Sequence, residues 1–322
     1  MSKDITVCAG IDIGKHKLDI AIDGSAERLQ VDNNSEGRRS LSSWLRQRRV
    51  ERIGLEASGG YEQAVVVSLR ADGFVVIVFQ PAQVRAYAKF VLQHAKNDAI
   101  DAVLIARCTA AATDIREPPD ARLAFLAQHL TMIEQLTEDV GQLKTRREAS
   151  REQRIREFWK REINRLKVLL NSELKQLVAV IREHRDLAHR LDLIASVDGV
   201  GLRTAVAILV RMPEIGRVTR EQAASLAGLA PFDDDSGMHA GIRHIAGGRE
   251  RLRGSLYKAS LSAAFHWNPQ LTALYQRLIA AGKLHKVALI ACARKLLIFV
   301  NTVVERGTPW VSNRSPAVRA AA

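Results

Sequence analysis

Cysteine is scarce in this chain: three in 322 residues, an odd number without metal-ligand spacing. That excludes a disulfide-stapled scaffold and a Cys-ligated zinc module. Cys8, Cys108 and Cys292 each lie among apolar neighbours, so they read as reduced core thiols in a cytoplasmic protein. Long apolar runs are missing too. No stretch approaches the ~18 residues that read as a membrane-crossing helix, and Met1-Ser2-Lys3-Asp4 leads into the first strand without the apolar core of a signal peptide. No membrane partner is expected. No internal repeat is present, which argues against solenoids and arrays.

Acid is the other shortage. Lys and Arg total 48 against 35 Asp and Glu, for a net charge of +13. The imbalance is regional: residues 1–115 carry +1, residues 116–195 carry +3 and residues 196–322 carry +9. Solubility alone asks for no such bias, so the C-terminal third reads as the electrostatic footprint of a polyanion. With 47% hydrophobic residues the chain can build real cores, and its length allows about two domains of ~150 residues.

Periodicity gives the order of elements. Thr6–Ile13, Leu18–Ile22 and Arg28–Val31 read as strands in an antiparallel meander, punctuated by Gly14 and Asp23-Gly24. Helices are expected at Ser35–Arg49, with Ser35 as N-cap, at Tyr61–Ala71 and at Ala99–Ala112, and further strands at Arg52–Glu56 and Val75–Phe79. This βββαβαβα order suits an α/β domain with a mixed sheet and helices on both faces. From Arg122 to Arg190, apolar residues at helical intervals (Leu123, Leu126, Leu130, then Leu170, Leu177, Ile181) predict two long helices. The stripe includes Ile133, Leu136, Val140 and Leu143 on the first helix and Phe158, Ile163, Leu166 and Leu174 on the second, and it forms either an intramolecular hairpin or a coiled-coil dimer arm. Stripes of this length look hard to cover within one slender hairpin, so a second copy is expected against them.

The first chemical signal is Asp12, near the end of the apolar strand Val7–Ile13. An ionised carboxylate there is costly unless it is paired, hydrogen-bonded or bound to a metal. Three later acids can join it: Glu56 at the end of a strand, and Asp98 and Asp101, three apart and so on one helix face. Helix capping explains the last two equally well when they are taken alone. It does not explain Asp12 and Glu56. Four carboxylates beside a basic protein suit Mg2+, which takes oxygen ligands and is completed by substrate phosphate and water.

The second signal lies late in the chain. Ser236 sits in a loop with Asp233-Asp234-Asp235 before it and Gly237 after it, and Arg243, Arg249, Arg251 and Arg253 follow. A serine attacking a phosphodiester needs deprotonation and cations on the phosphoryl oxygens, but a turn serine in a DNA-binding loop fits the same spacing. Asp198-Gly199-Val200-Gly201-Leu202, ahead of an apolar helix, resembles a helix-hairpin-helix whose Gly199–Gly201 turn offers N–H groups to nucleic-acid phosphate. A tight turn needing glycine for positive φ accounts for it equally.

The element order of residues 1–115, with acids ending the first and fourth strands and on the last helix, resembles the RNase H-like or RuvC-type nuclease fold. Together, Gly-Ile-Asp-Ile-Gly-Lys, Glu-Ala-Ser-Gly-Gly-Tyr, Lys-Asn-Asp-Ala-Ile-Asp-Ala, Ala-Gly-Leu-Ala-Pro, Ser-Gly and Gly-Gly-Arg-Glu-Arg-Leu-Arg run through nearly the whole chain. They resemble the insertion-sequence transposases with an N-terminal DEDD domain and a C-terminal serine transposase domain. The resemblance implies metal-binding acids at Asp12, Glu56, Asp98 and Asp101 and a serine nucleophile at Ser236. It also implies a bridge RNA that pairs donor and target DNA, and active sites shared between subunits of a dimer or tetramer. The loop departs from the family in Met238-His239-Ala240, which is poorer in serine and basic residues.

The expected organisation is therefore a RuvC-like domain at 1–115, a helical or coiled-coil arm at 116–190, a helical serine transposase domain at 191–306 and a loose tail at 307–322. The expected activity is DNA transposition or recombination through a phosphoserine. A RuvC-type endonuclease that uses metal alone, and a non-catalytic RNA/DNA-binding scaffold, are the competing readings.

Overall fold

The computed structural model describes residues 6–92, 98–113, 120–232 and 244–311, with backbone alone for residues 98–100. The chain divides into two compact units, Met1–Pro118 and Pro119–Ala322.

In the first unit β1 (Cys8–Ile13), β2 (Lys17–Ile22), β3 (Arg28–Asp32), β4 (Arg52–Glu56) and β5 (Val75–Phe79) form one sheet in the order β3-β2-β1-β4-β5. The short β1–β2 and β2–β3 connections make those pairs antiparallel, whereas β1–β4 and β4–β5 are parallel. The parallel pairs need crossovers, and α1 (Ser35–Gln47) and α2 (Gln63–Ala71) supply them. Alternation along the strands sends Ile11, Leu18, Ile20, Ile53 and Leu55 to one face, where Leu41 and Leu45 of α1 and Val65 and Leu69 of α2 complete a core. The sheet is mixed and covered on both faces, as the element order predicts.

The other face carries α4 (Asp98–Ala111), and two glycines make the crossing possible. A Cβ at Gly10 would lie 2.2 Å from the Ala106 nitrogen, and one at Gly54 would lie 1.8 Å from Thr109 Oγ1. A helix missing from the sequence reading, α3 (Pro81–Phe90), packs beside it. Val84 of α3 meets Phe79, Leu104, Ile105 and Cys108 in a second, small core. The N-cap of α1 is Asn34 rather than Ser35: its Oδ1 accepts the Gly37 N–H at 2.8 Å. Asn34 precedes the helix in extended backbone, whereas Ser35 is already helical.

The second unit is helical. The hairpin of α5 (Ala121–Ala149) and α6 (Gln153–Arg182) is antiparallel, with His129 Nε2 2.9 Å from Glu173 Oε2 across it. Among the described residues six α-helices follow, α7 (Arg185–Ala195), α8 (Leu202–Arg211), α9 (Arg220–Leu226), α10 (Glu250–Ser262), α11 (Pro269–Ala280) and α12 (His285–Arg306), with a π-helical turn (Ala263–Trp267) between α10 and α11. One continuous core runs from Leu126, Leu130, Leu177 and Ile181 of the hairpin through Ile208 to Leu296 and Val300. α8 and its neighbours thus cover within the chain the part of the arm's apolar stripe from Leu123 to Val140 and from Ile163 to Ile181, so that part needs no second copy, whereas Phe158 of the same stripe is 46% exposed. Glu134 on α5 fixes this docking, receiving Arg211 of α8 at 2.5 Å and Arg251 of α10 at 3.2 Å.

α12 corrects a second expectation, since by length and composition it is a helix that could cross a membrane. Its Leu289, Cys292, Leu296, Leu297 and Val300 are fully buried at the centre of the core, which is why its sequence is so apolar. All three cysteines are free and buried. Burial raises their pKa values, that of Cys292 to about 11, so the thiols are held as thiols, as core residues should be.

Candidate active site

Asp12 and Glu56 occupy equivalent positions at the C-terminal ends of neighbouring parallel strands. The β1–β4 register runs Gly10 to Gly54 and Ile11 to Leu55, so Asp12 and Glu56 follow at the next step. Ile11 and Leu55 point into the core shared with α1 and α2, so alternation turns both acids toward the face crossed by α4. There both are half-buried. Asp101 is half-buried on α4, one turn ahead of Ile105, whose backbone lies against Gly10. Asp98 is the first residue of α4, and its side chain lies outside the described residues.

Asp19 joins this face. It stands opposite Asp12 in the β1–β2 ladder and holds Lys17 at 3.3 Å and Gln30 at 2.6 Å. No sequence signal singled it out, because only strand register makes the two acids neighbours. Among the described residues, no three Asp, Glu, His or Cys side chains gather into a group that could hold a metal ion. The donor chemistry nevertheless fits a hard divalent cation. Asp12, Glu56 and Asp101 offer carboxylate oxygens only, half-buried and associated with one face of the sheet.

Two side chains shape the edge beyond these acids. Asn33 donates from Nδ2 to the Gly14 carbonyl at 3.1 Å and the Tyr61 carbonyl at 3.4 Å, so one amide tethers the ends that follow β1 and β4. Glu62 accepts from the Ser58 N–H, the Ser58 hydroxyl and the Gly60 N–H at 3.1, 2.8 and 2.8 Å. Burial pushes its pKa upward, but these hydrogen bonds outweigh burial and hold it below the usual carboxylate range. Glu62 thereby folds the loop that follows Glu56.

Ser236 and Arg243 lie outside the described residues, as do Asp233-Asp234-Asp235 and Met238-His239-Ala240. What brackets their loop is described. β6 (Pro231–Phe232) and β7 (His244–Ile245) pair antiparallel, closing residues 233–243 at their base. Beneath this ladder Gly228 and Gly248 pack backbone to backbone, both at positive φ, and a Cβ on Gly248 would lie 2.2 Å from the Gly228 nitrogen. The three arginines that follow have partners within the chain. Arg249 grips Glu214 through both terminal nitrogens at 2.8 and 2.6 Å, Arg251 reaches Glu134, and Arg253 donates to the Gly247 carbonyl at 2.6 Å.

At the hairpin between α7 and α8, Gly199 has a φ of +95°, and a Cβ there would lie 2.3 Å from that of Ala263. Both the turn and the packing therefore need glycine at 199. Gly201 caps α8 and has open space around it.

Known proteins resemble this chain in sequence. Residues 9–150 match a family model for DEDD transposases of the IS110 type, described as "Transposase", and residues 191–276 match the model "Transposase IS116/IS110/IS902 family". The chain is 26% identical over 318 residues to the pilin gene-inverting protein of Moraxella bovis, an alignment covering 94% of this chain and 96% of that one. The pilin gene-inverting protein of Moraxella lacunata matches to the same extent, 26% over 318 residues. An uncharacterized 43.6 kDa protein of insertion element IS110 from Streptomyces coelicolor is 30% identical over 169 residues, 49% of this chain and 42% of its own.

Proposed function

Because this chain belongs to the IS110 family of transposases and is a DNA transposase or recombinase, we propose that it exchanges DNA strands through a covalent link to Ser236, with its acids at Asp12, Glu56, Asp98 and Asp101 serving the same reaction. The observation that carries this reading is the placement of Asp12 and Glu56 at matched ends of β1 and β4, on the face crossed by the helix that bears Asp98 and Asp101. Four oxygen donors of this kind would hold Mg2+, which when bound supplies positive charge to phosphoryl oxygens.

The serine does the bond exchange. Its Oγ attacks the phosphorus and gives up its proton, an O–P bond forms, and the P–O3′ bond breaks. The strand then ends in a 3′-hydroxyl and the protein in a 5′-phosphoserine. Attack by the 3′-hydroxyl of another strand reverses these changes and restores the serine, so no outside energy source is needed. The short β6–β7 ladder and the Gly228–Gly248 contact bring together the two described segments on either side of Ser236.

A guide RNA pairing with donor and target DNA, and a dimer or tetramer that joins the acids of one subunit to the serine of another, belong to the same proposal. The +9 carried by residues 196–322 supports a nucleic-acid partner for this part of the chain. The relatives named for pilin gene inversion favour site-directed rearrangement over simple cleavage.

The test is a denaturing gel of the protein incubated with end-labelled DNA, RNA and Mg2+. A labelled protein–DNA adduct is expected from the wild type and absent from Ser236→Ala. An adduct that survives in Ser236→Ala and vanishes on changing Ser255 or Ser260 would place the nucleophile elsewhere.

A further inference from the structure

The α5–α6 hairpin runs on past its core. Buried residues end at Val140 on α5 and resume at Ile163 on α6, and between them every described side chain is exposed or half-buried. At ~1.5 Å per residue the tip stands about 15 Å beyond the last buried layer. Such an extension adds ordered residues while burying little apolar surface, so it adds little to stability.

Its charge is distinctive. Residues 144–161 hold eight Lys and Arg against three Glu, net +5, whereas the whole of 116–195 is only +3. The remainder of that region is therefore net acidic, and the basic excess sits at the tip. Nearer the body, several arginines have carboxylate partners: Arg122 with Asp120 and Asp186, Arg211 with Glu134, Arg249 with Glu214. At the tip, among the described residues, Arg147, Arg151, Arg154, Arg156 and Arg161 have no carboxylate within ion-pair distance. The tip is also clasped. Arg146 of α5 lies 5.8 Å from the Trp159 ring of α6, and Phe158 meets that ring edge-on at 5.0 Å.

We propose that this hairpin tip is a docking surface for the phosphate backbone of duplex DNA. A second copy of the tip would set +5 against +5 and be repelled. A single strand is held by open ring faces on which bases stack; of the two rings here, Trp159 is half-buried with Arg146 over it, and Phe158, 46% exposed, stands edge-on against Trp159 rather than as one of a row of open faces. What remains exposed is a projecting, clasped surface in which cations outnumber the exposed Ile155 and Phe158 and the three Glu, which suits a backbone carrying one charge per ~1.7 Å of helix axis. The inference rests on the chain's acting on DNA and on nothing about Ser236 or the acids.

The test measures binding of the full-length protein to a fluorescent duplex of random sequence across a salt series, without Mg2+, so that failure of the catalytic reading leaves it intact. Arg151→Gln/Arg154→Gln/Arg161→Gln should bind more weakly and lose about 2.7 from the log–log salt slope, ~0.9 for each phosphate contact. The equal-charge control Lys167→Gln/Lys175→Gln/Arg185→Gln, on exposed positions nearer the body, should lose less than half as much. If the triple variant melts early, Arg154→Gln alone should lose about 0.9. Equal losses in both triples, an unchanged slope, or a loss confined to single-stranded RNA would overturn the proposal. So would a change in mass by light scattering without nucleic acid, which would make the tip a contact between copies.

Discussion

Asp12 of β1 and Asp19 of β2 stand opposite each other in the antiparallel ladder, two carboxylates where a sheet prefers opposite charges. Lys17 and Gln30 hold Asp19, which shares a face of the sheet with Asp12. At the spacing of directly paired residues two such charges interact by roughly 1–3 kcal/mol, and solvent screening puts this half-buried pair at the low end.

Asp19→Asn should therefore weaken the attraction of the Asp12 edge for a divalent cation. The expected result is a requirement for Mg2+ raised about fivefold, the ratio that ~1 kcal/mol corresponds to, with full strand exchange restored at saturating Mg2+. A Mg2+ titration of activity checks it. An unchanged midpoint would make Asp19 a partner of Lys17 and Gln30 alone.

The sheet and the first acid were legible because β1 combines a short apolar run with a carboxylate, a conflict local enough to see in the sequence. Asp19 was not, since strand register is a property of two segments. The same limit hid the partners of the arginines: Glu214 lies 35 positions from Arg249, and Glu134 lies 117 from Arg251. α3 was missed for the opposite reason. Its start signals, Pro81 and the Gln80–Gln83 capping pair, are local, but its apolar face is weak and ends in Phe90, 82% exposed. Periodicity predicts the arm's two long helices, but it reveals an apolar stripe without naming what buries it, and here α8 and its neighbours bury most of it.

Glu62 is expected to lock the loop after Glu56 at neutral pH. Its folded pKa is lowered, so the unfolded chain binds the proton more readily. The stabilising contribution is then complete above the ordinary Glu value and is lost as pH falls through the lower, folded one. At pH 7, Glu62→Ala should speed hydrogen exchange at the Ser58 and Gly60 amides about tenfold or more, because hydrogen bonds to a charged group are worth ~1.5–3 kcal/mol. Exchange rates equal to the wild type would mean that the loop is held by other contacts.

Glu134 ties the hairpin to the rest of its unit. Its carboxylate and Arg211 are 14% and 16% exposed, so removing one partner strands a largely buried charge. Glu134→Ala should cost about 3 kcal/mol in urea denaturation. The double variant Glu134→Leu/Arg211→Leu should recover most of the loss, since the one cation that still loses Glu134, Arg251, is 39% exposed and keeps Glu138 at 3.6 Å. If the double variant is as unstable as the sum of its singles, the pair contributes through packing rather than through charge.

At the base of the serine loop, two glycines close together in the chain should respond to alanine in opposite ways. Gly248 sits at a φ of +65°, with the space for its Cβ occupied by the Gly228 backbone. Gly254 is exposed on α10, and a Cβ there would meet nothing within 4 Å. Gly254→Ala should stabilise the protein by about 0.5–1 kcal/mol, as alanine does in an open helix, and leave strand exchange alone. Gly248→Ala must instead push Gly228 away and adopt a strained φ, loosening the point where the ends of the loop are held together. Because the basic tip of the hairpin lies elsewhere in the unit, Gly248→Ala should still bind DNA while the covalent adduct on denaturing gels is lost or severely reduced. Normal adduct formation in this variant would mean that the Gly228–Gly248 contact does not position the serine, whatever its role in the fold.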